Sequence, residues 1–254
     1  MIVTTAQGQI EGIGRNSIWQ FRGIPYAAAP VGDRRFLPPA PPPAWEGVRS
    51  GATFGSSAWP EPGGVTAMLG DQGVTPDEDC LHLNVFTPAC DDAARPVMVW
   101  IHGGSFTGGS GSTPWYDGTT LATRGDVVVV TINYRLGALG FLWLGDLDDR
   151  YRSSGVNGIL DQAAALAWVR ANIGAFGGDP NNVTIFGESA GAMSVSTLMA
   201  TPAARGLFQR AIAQSGAAEH VSSTTVAAGV TAAIMDDLGI STIEELLAVS
   251  PEAL

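Results

Sequence analysis

The stretch "VTIFGESAGAMSVSTLMA", residues 183–200, changes character at its middle. Val183, Thr184, Ile185 and Phe186 are β-branched or aromatic and suit a strand, whereas the residues from Ala190 to Ala200 are mostly small or unbranched and tolerate a helix. Between them, Gly187-Glu188-Ser189-Ala190-Gly191 fits G-x-S-x-G, a sharp strand-to-helix turn that lifts a serine out of the backbone. The spelling has a physical reason. A serine at such a tip sits in strained backbone, and flanking glycines let strand and helix approach without colliding side chains. The helix that follows aims its N-terminus at the serine, favouring negative charge there. The match alone is common by chance; the strand before it and the helix after it make Ser189 a candidate nucleophile.

Working outward, "LHLNVFTP" (81–88), "PVMVWIHG" (96–103), "VVVVTINY" (127–134) and "RAIAQSG" (210–216) read as further strands. Val127–Ile132 is apolar on both faces, as a parallel strand covered on both sides must be. Such strands need crossover helices, and 161–174 supplies one: Leu166, Val169 and Ile173 share a face, Asp161 is placed to begin it and "GGDPNN" to stop it. Residues 2–27 read as short antiparallel strands, followed by a Pro-rich surface crossing, "AAAPVGDRRFLPPAPPPAW". Strands alternating with helices predict an α/β domain whose central sheet is mostly parallel and flanked by helices.

Composition narrows the chemistry. The 254-residue chain carries a net charge of −11, which argues against a nucleic-acid partner. All thirteen basic residues are arginine, so Schiff-base and Ser-Lys mechanisms are excluded. Two cysteines and three scattered histidines make a poor metal site, and no cofactor is expected. No apolar run approaches the ~20 residues of a membrane span, and the N-terminus shows no signal peptide. The expectations are a cytoplasmic protein with Cys80 and Cys90 as free thiols, and no membrane partner.

A second motif precedes the first. "WIHGGSFTGG", residues 100–109, follows a strand directly and exposes backbone N–H groups on consecutive glycines, as loops that bind an oxyanion do. A phosphate-binding loop is excluded, because G-x-x-x-x-G-K-[ST] requires a lysine.

With "FRGIPYAAAPVGDRRF", "EDCLHLNVFTP", "WIHGGSF", "GDVVVVTINYRLGALGFL", "LDQAAALAWVRANIGAFGGDPNNVTIFGESAGA" and "LFQRAIAQSGA" in this order, the chain resembles the type B carboxylesterase and cholinesterase family of the α/β-hydrolase fold, most nearly its bacterial para-nitrobenzyl esterase-like members. The resemblance implies a serine esterase acting on small-molecule carboxylic esters through an acyl-enzyme. Ser189 is then the nucleophile, and the N–H groups of Gly104, Ser105 and Ala190 form the oxyanion hole. Gly187, Glu188 and Gly191 support the turn, with Glu188 not the triad acid. Ser215, in the family's "QSG" motif, corresponds to a buried serine that is either structural or a catalytic support. Arg35 with Glu78 and Arg135 with Asp161 resemble the family's scaffold ion pairs, while His82 stands where the family more commonly has Tyr and is expected to be a packed or edge histidine. Trp115 and Tyr116 either line the substrate pocket or simply pack. The same half-site would serve an acyltransferase, and the fold also hosts non-catalytic binding or adhesion-type proteins.

A serine needs a base, and the base an acid; in α/β-hydrolases the chain order is Ser, acid, His. His220 is the one histidine after Ser189, and Asp236, Asp237, Glu244, Glu245 and Glu252 follow it, the reverse order. His102 belongs to the glycine loop. Near the C-terminus, Thr242 and Glu245 stand at capping-box spacing, and Ser250-Pro251 reads as the start of another helix. The expectation is that residues 1–254 are the N-terminal part of one truncated α/β-hydrolase domain, with the last strands, the triad acid and the histidine in a missing C-terminal half. That half is the one expected protein partner, and without it the final strand presents an unpaired edge.

Overall fold

The computed structural model describes residues 1–60, 74–218 and 220–254. Seven strands form the main sheet: β3 (Ile13–Arg15), β4 (Ile18–Pro25), β6 (His82–Thr87), β7 (Arg95–Ile101), β8 (Val128–Ile132), β9 (Gly178–Glu188) and β10 (Arg210–Gln214). Their spatial order is β10-β9-β7-β8-β6-β4-β3. β8, β7, β9 and β10 run parallel, while β6, β4 and β3 continue the sheet antiparallel. A small second sheet joins β1 (Ile2–Thr4), β2 (Gln9–Glu11) and β5 (Val48–Ser50).

The parallel strands need return paths, and helices provide them. α1 (Thr119–Gly125) lies between β7 and β8; α2 (Gly137–Phe141) and α3 (Asn157–Asn172) lie between β8 and β9; α4 (Ala190–Ala200) lies between β9 and β10. Every residue of β8 is buried, as a strand apolar but for Thr131 requires, and the Thr131 hydroxyl donates to Gly111 O at 2.8 Å. Leu166, Val169 and Ile173 join Val97, Val99, Ile101, Val183 and Ile185 in one core cluster. The Pro-rich crossing is ordered, with Trp45 Nε1 donating to Gln9 O at 2.8 Å.

Two sequence boundaries move. α3 begins at Asn157, one turn before Asp161, because Asp161 is a mid-helix partner rather than an N-terminal residue. Its carboxylate accepts from Arg135 Nε at 2.8 Å and Nη2 at 2.7 Å, and both side chains are buried. A buried carboxylate inside a helix is tolerated only with such a partner. "GGDPNN" also does more than stop a helix. Gly177, at φ 80°, ends the helical segment, and β9 starts at Gly178, with its register to β7 slipping between Arg95 and Val97. The sequence reading placed no helix over α5 (Thr224–Asp237), whose N-terminus is capped by Ser223 Oγ accepting from Val226 N.

At the C-terminus, the predicted capping box of α6 (Ile243–Ala248) is present, but Ser250 makes no side-chain cap and residues 251–253 form one 3-10 turn. Arg35 ties this region to the N-terminal crossing: Nε donates to Glu78 Oε2 at 2.7 Å, and Nη1 donates to the carbonyls of Leu247 and Val249 at 2.9 and 2.6 Å. β10 is the outermost strand, paired only with β9 among the described residues, and all five of its residues are exposed.

Candidate active site

Ser189 follows the last residue of β9 and occupies the N-cap position of α4, its side chain making no cap bond. Its backbone lies at φ 54°, ψ −122°, a conformation costing on the order of 1–3 kcal/mol that surrounding contacts must hold. Those contacts are main-chain bonds: Ser189 N donates to Gln214 O at 2.9 Å, and Ser189 O accepts from Met193 N at 3.0 Å. The adjoining glycines are needed for packing. A Cβ on Gly191 would fall 2.1 Å from Ile101 O, and one on Gly187 would fall 2.6 Å from the Gly191 carbonyl carbon. The end of β7 therefore lies directly against the start of α4.

The glycine loop leaves β7 at His102 and closes over the same corner. A Cβ on Gly103 would lie 2.6 Å from Glu188 O and 3.2 Å from Ser189 Cβ, so the loop backbone and the serine touch. Gly104, Ser105 and Phe106 have successive positive φ values of 118°, 56° and 62°. Gly104 O accepts from both Thr107 N and Gly108 N, at 3.0 and 2.9 Å, winding the loop into a tight turn. No hydrogen bond among the described residues uses the N–H of Gly104, Ser105 or Ala190. For Ala190 this is the ordinary condition of a first helical residue.

His102 packs into this loop and bonds it through one ring nitrogen. It is 1% exposed, its ring stacks on Tyr134 at 4.4 Å, and Nδ1 lies 2.8 Å from Gly103 O, which makes Nδ1 the protonated nitrogen. Burial pushes its pKa down to about 4, only partly offset by the bond to Gly103 O. His82 is buried and packed, as expected. His220 lies on an exposed segment after β10. Glu219 stands between Ser189 and His220, so the acids after Ser189 do not all follow His220 as expected. Glu219 lies outside the described residues.

Glu188 is exposed, and its Oε2 lies 3.2 Å from where a Cβ on Gly103 would be. Ser215, at φ 58°, is exposed rather than buried, because no strand lies beyond β10 among the described residues. Tyr116 packs on Trp100, with ring centroids 4.9 Å apart, while Trp115 is 74% exposed. Among the described residues no group of three or more His, Cys, Asp or Glu could hold a metal ion. No helix among them is long and apolar enough to cross a membrane.

Two residues bearing on the loop escape the sequence reading. Tyr134 Oη donates to His102 O at 2.8 Å, and Asn133 Oδ1 accepts from Gly111 N at 2.8 Å. The available signal is polar residues placed directly after a buried, mostly apolar strand, where burial demands partners for them.

The chain is 49% identical over 255 residues to the para-nitrobenzyl esterase of Bacillus subtilis (strain 168), covering 100% of this chain and 51% of that protein. It is 45% identical over 251 residues to the phenmedipham hydrolase of Pseudarthrobacter oxydans, covering 96% and 49% respectively. The crystal structure of carboxylesterase EST55 from Geobacillus stearothermophilus at pH 6.2 superposes with a TM-score of 0.93 at 50% identity, over 99% of this chain and 51% of that one. The chain thus spans about half the length of these relatives. The model of the carboxylesterase family matches residues 1–248, and the chain therefore belongs to the carboxylesterase family.

Proposed function

We propose that this chain is the nucleophile-bearing N-terminal part of a single-domain serine carboxylesterase. The observation that carries the reading is Ser189 held at φ 54° between β9 and α4 with the Gly103 backbone packed against it. In the proposed reaction an ester carbonyl sits between Ser189 and the glycine loop. Ser189 Oγ attacks the carbonyl carbon as a base takes its proton. The negative oxygen is received by the N–H groups of Gly104, Ser105 and Ala190, which have no other acceptor among the described residues. The alcohol leaves with a proton, and water, deprotonated by the same base, cleaves the acyl-enzyme. Neither His102, bonded to Gly103 O, nor exposed His220 is assigned as that base. The base and its acid are assigned to polypeptide beyond residue 254, a reading supported by the half-length match and by the exposed outer edge of β10. The polypeptide carrying them is the proposed partner of that edge. Small carboxylic esters are the proposed substrates. A cytoplasmic location is proposed as well, in keeping with Cys80 and Cys90 both being free thiols.

Fluorophosphonate labelling read by intact mass tests this. The expected result is one adduct on the full-length protein, abolished by Ser189→Ala, and none on residues 1–254 alone. An adduct on the shorter chain would mean that a local base completes the site. Absence of an adduct on the full-length protein would favour a non-catalytic binding role.

A further inference from the structure

The glycine loop is fastened at both ends by consecutive residues that follow β8. At its entrance, Tyr134 is wholly buried; its Oη donates to His102 O at 2.8 Å and its ring stacks on the His102 imidazole. The same carbonyl lies close to α4, 3.0 Å from the position a Cβ on Gly191 would take. At the loop's exit, Asn133 Oδ1 accepts from Gly111 N at 2.8 Å and from Ser110 Oγ at 3.2 Å, and its Nδ2 donates to Ser56 O at 2.9 Å. Between these anchors lie Gly104, Ser105 and Phe106, whose left-handed backbone does not persist unless its surroundings over-determine it.

We propose that Tyr134 and Asn133 are positioning residues that clamp the two ends of the glycine loop, holding the Gly104 and Ser105 N–H groups where the oxyanion forms. The inference rests on the carboxylesterase reading above. Neither residue touches the reacting atoms. Tyr134 fixes the peptide group joining His102 to Gly103 and the ring that in turn holds Gly103 O. Asn133 fixes the Gly111 end, so the turn between cannot relax its three positive φ values by swinging outward.

The test uses the full-length protein with Tyr134→Phe, which keeps the ring stack and removes one hydroxyl. Three readouts separate positioning from simple stability. The first is the split between kcat and KM for a p-nitrophenyl ester. The second is the affinity for a trifluoromethyl ketone, which forms the tetrahedral adduct, and the third is the affinity for the matching methyl ketone. The expected result is a kcat lower by roughly 10- to 100-fold with KM nearly unchanged. Trifluoromethyl ketone affinity should fall by the same factor, and methyl ketone affinity should stay constant. Thr87→Val is the control: it removes another buried hydroxyl donating to carbonyls, those of Ala89 and Phe176, on a strand that does not carry the loop. It should lower the melting temperature and leave all three readouts unmoved. If Tyr134→Phe does not fold, Asn133→Ser carries the same expectation from the other end. Unchanged kcat and trifluoromethyl ketone affinity in a folded variant, or equal effects in Thr87→Val, overturn the proposal. Ser189→Ala is run alongside: hydrolysis surviving that change would sink the carboxylesterase reading itself, whereas its loss leaves the clamp to stand or fall alone.

Discussion

Adding one methyl group at Gly191 should damage both stability and turnover. The new Cβ would lie 2.1 Å from Ile101 O, 2.9 Å from the same carbonyl carbon and 3.0 Å from His102 O. All three are backbone atoms, so no flexible side chain can give way. Restoring an ordinary contact requires α4 and the end of β7 to separate by roughly 1 Å, and overpacking of this kind costs about 3 kcal/mol, the upper end of the usual range. The displacement occurs one residue from Ala190 and two from Ser189, so the Ala190 N–H, a proposed oxyanion donor, is displaced with it. A misplacement near 1 Å costs roughly 100-fold in rate. Urea unfolding and p-nitrophenyl ester turnover of Gly191→Ala in the full-length protein provide the assay. Gly229→Ala, in the exposed interior of α5 where an added Cβ meets nothing within 4 Å, should instead stabilise by about 0.5–1 kcal/mol. Wild-type stability and turnover in Gly191→Ala would refute the claim that helix and strand are in backbone contact here.

Three further outcomes follow from contacts described above. Asp161→Asn, which leaves Arg135 buried without its counter-charge, should cost about 3–5 kcal/mol, while Arg135→Met with Asp161→Leu should cost much less; thermal or urea melts of both separate a needed pair from mere burial. His102 has a folded pKa near 4 against 6.5 for the unfolded chain, so the unfolded state takes up a proton first as pH falls. Its contribution is whole above pH 6.5 and is lost progressively down to about pH 4, by up to about 3 kcal/mol in all. Urea melts at pH 7.5 and 4.5 should show a larger acid loss for the wild type than for His102→Gln, and equal losses would refute it. Thr242→Ala removes half of the capping box on α6 and should lower stability by about 1 kcal/mol, read as a shift in urea midpoint at unchanged slope.

The sequence was most legible where chemistry and local geometry share the same residues. At residues 183–200 the strand, the turn and the helix are all spelled in side-chain type, and the glycines mark close approaches that only backbone can make. β8 was legible because burial on both faces leaves a run that is apolar but for Thr131. α5 was not read, because Thr224, Thr225, Val226, Val230 and Thr231 are poor helix formers, and the helix depends on the Ser223 cap and on docking of Thr231 and Met235. Asp161 misled for a different reason. An aspartate near a helix start looks like an N-terminal residue, and nothing local reveals that Arg135, 26 positions away, claims its carboxylate. The loop clamp was hidden in the same way: Tyr134 and Asn133 act through main-chain atoms of residues more than 20 positions away, and a carbonyl or an N–H has no letter in a sequence.

The grip of Arg35 on Leu247 and Val249 spans 212 and 214 positions of chain. During synthesis Arg35 and Glu78 emerge early and can pair at once, but the Nη1 edge of the guanidinium has its two carbonyl acceptors only after α6 has been made. The N-terminal crossing is therefore finished only after more than 200 further residues have left the ribosome. Until then the early segments are held by nearer contacts alone, and over that interval the crossing is open to a chaperone.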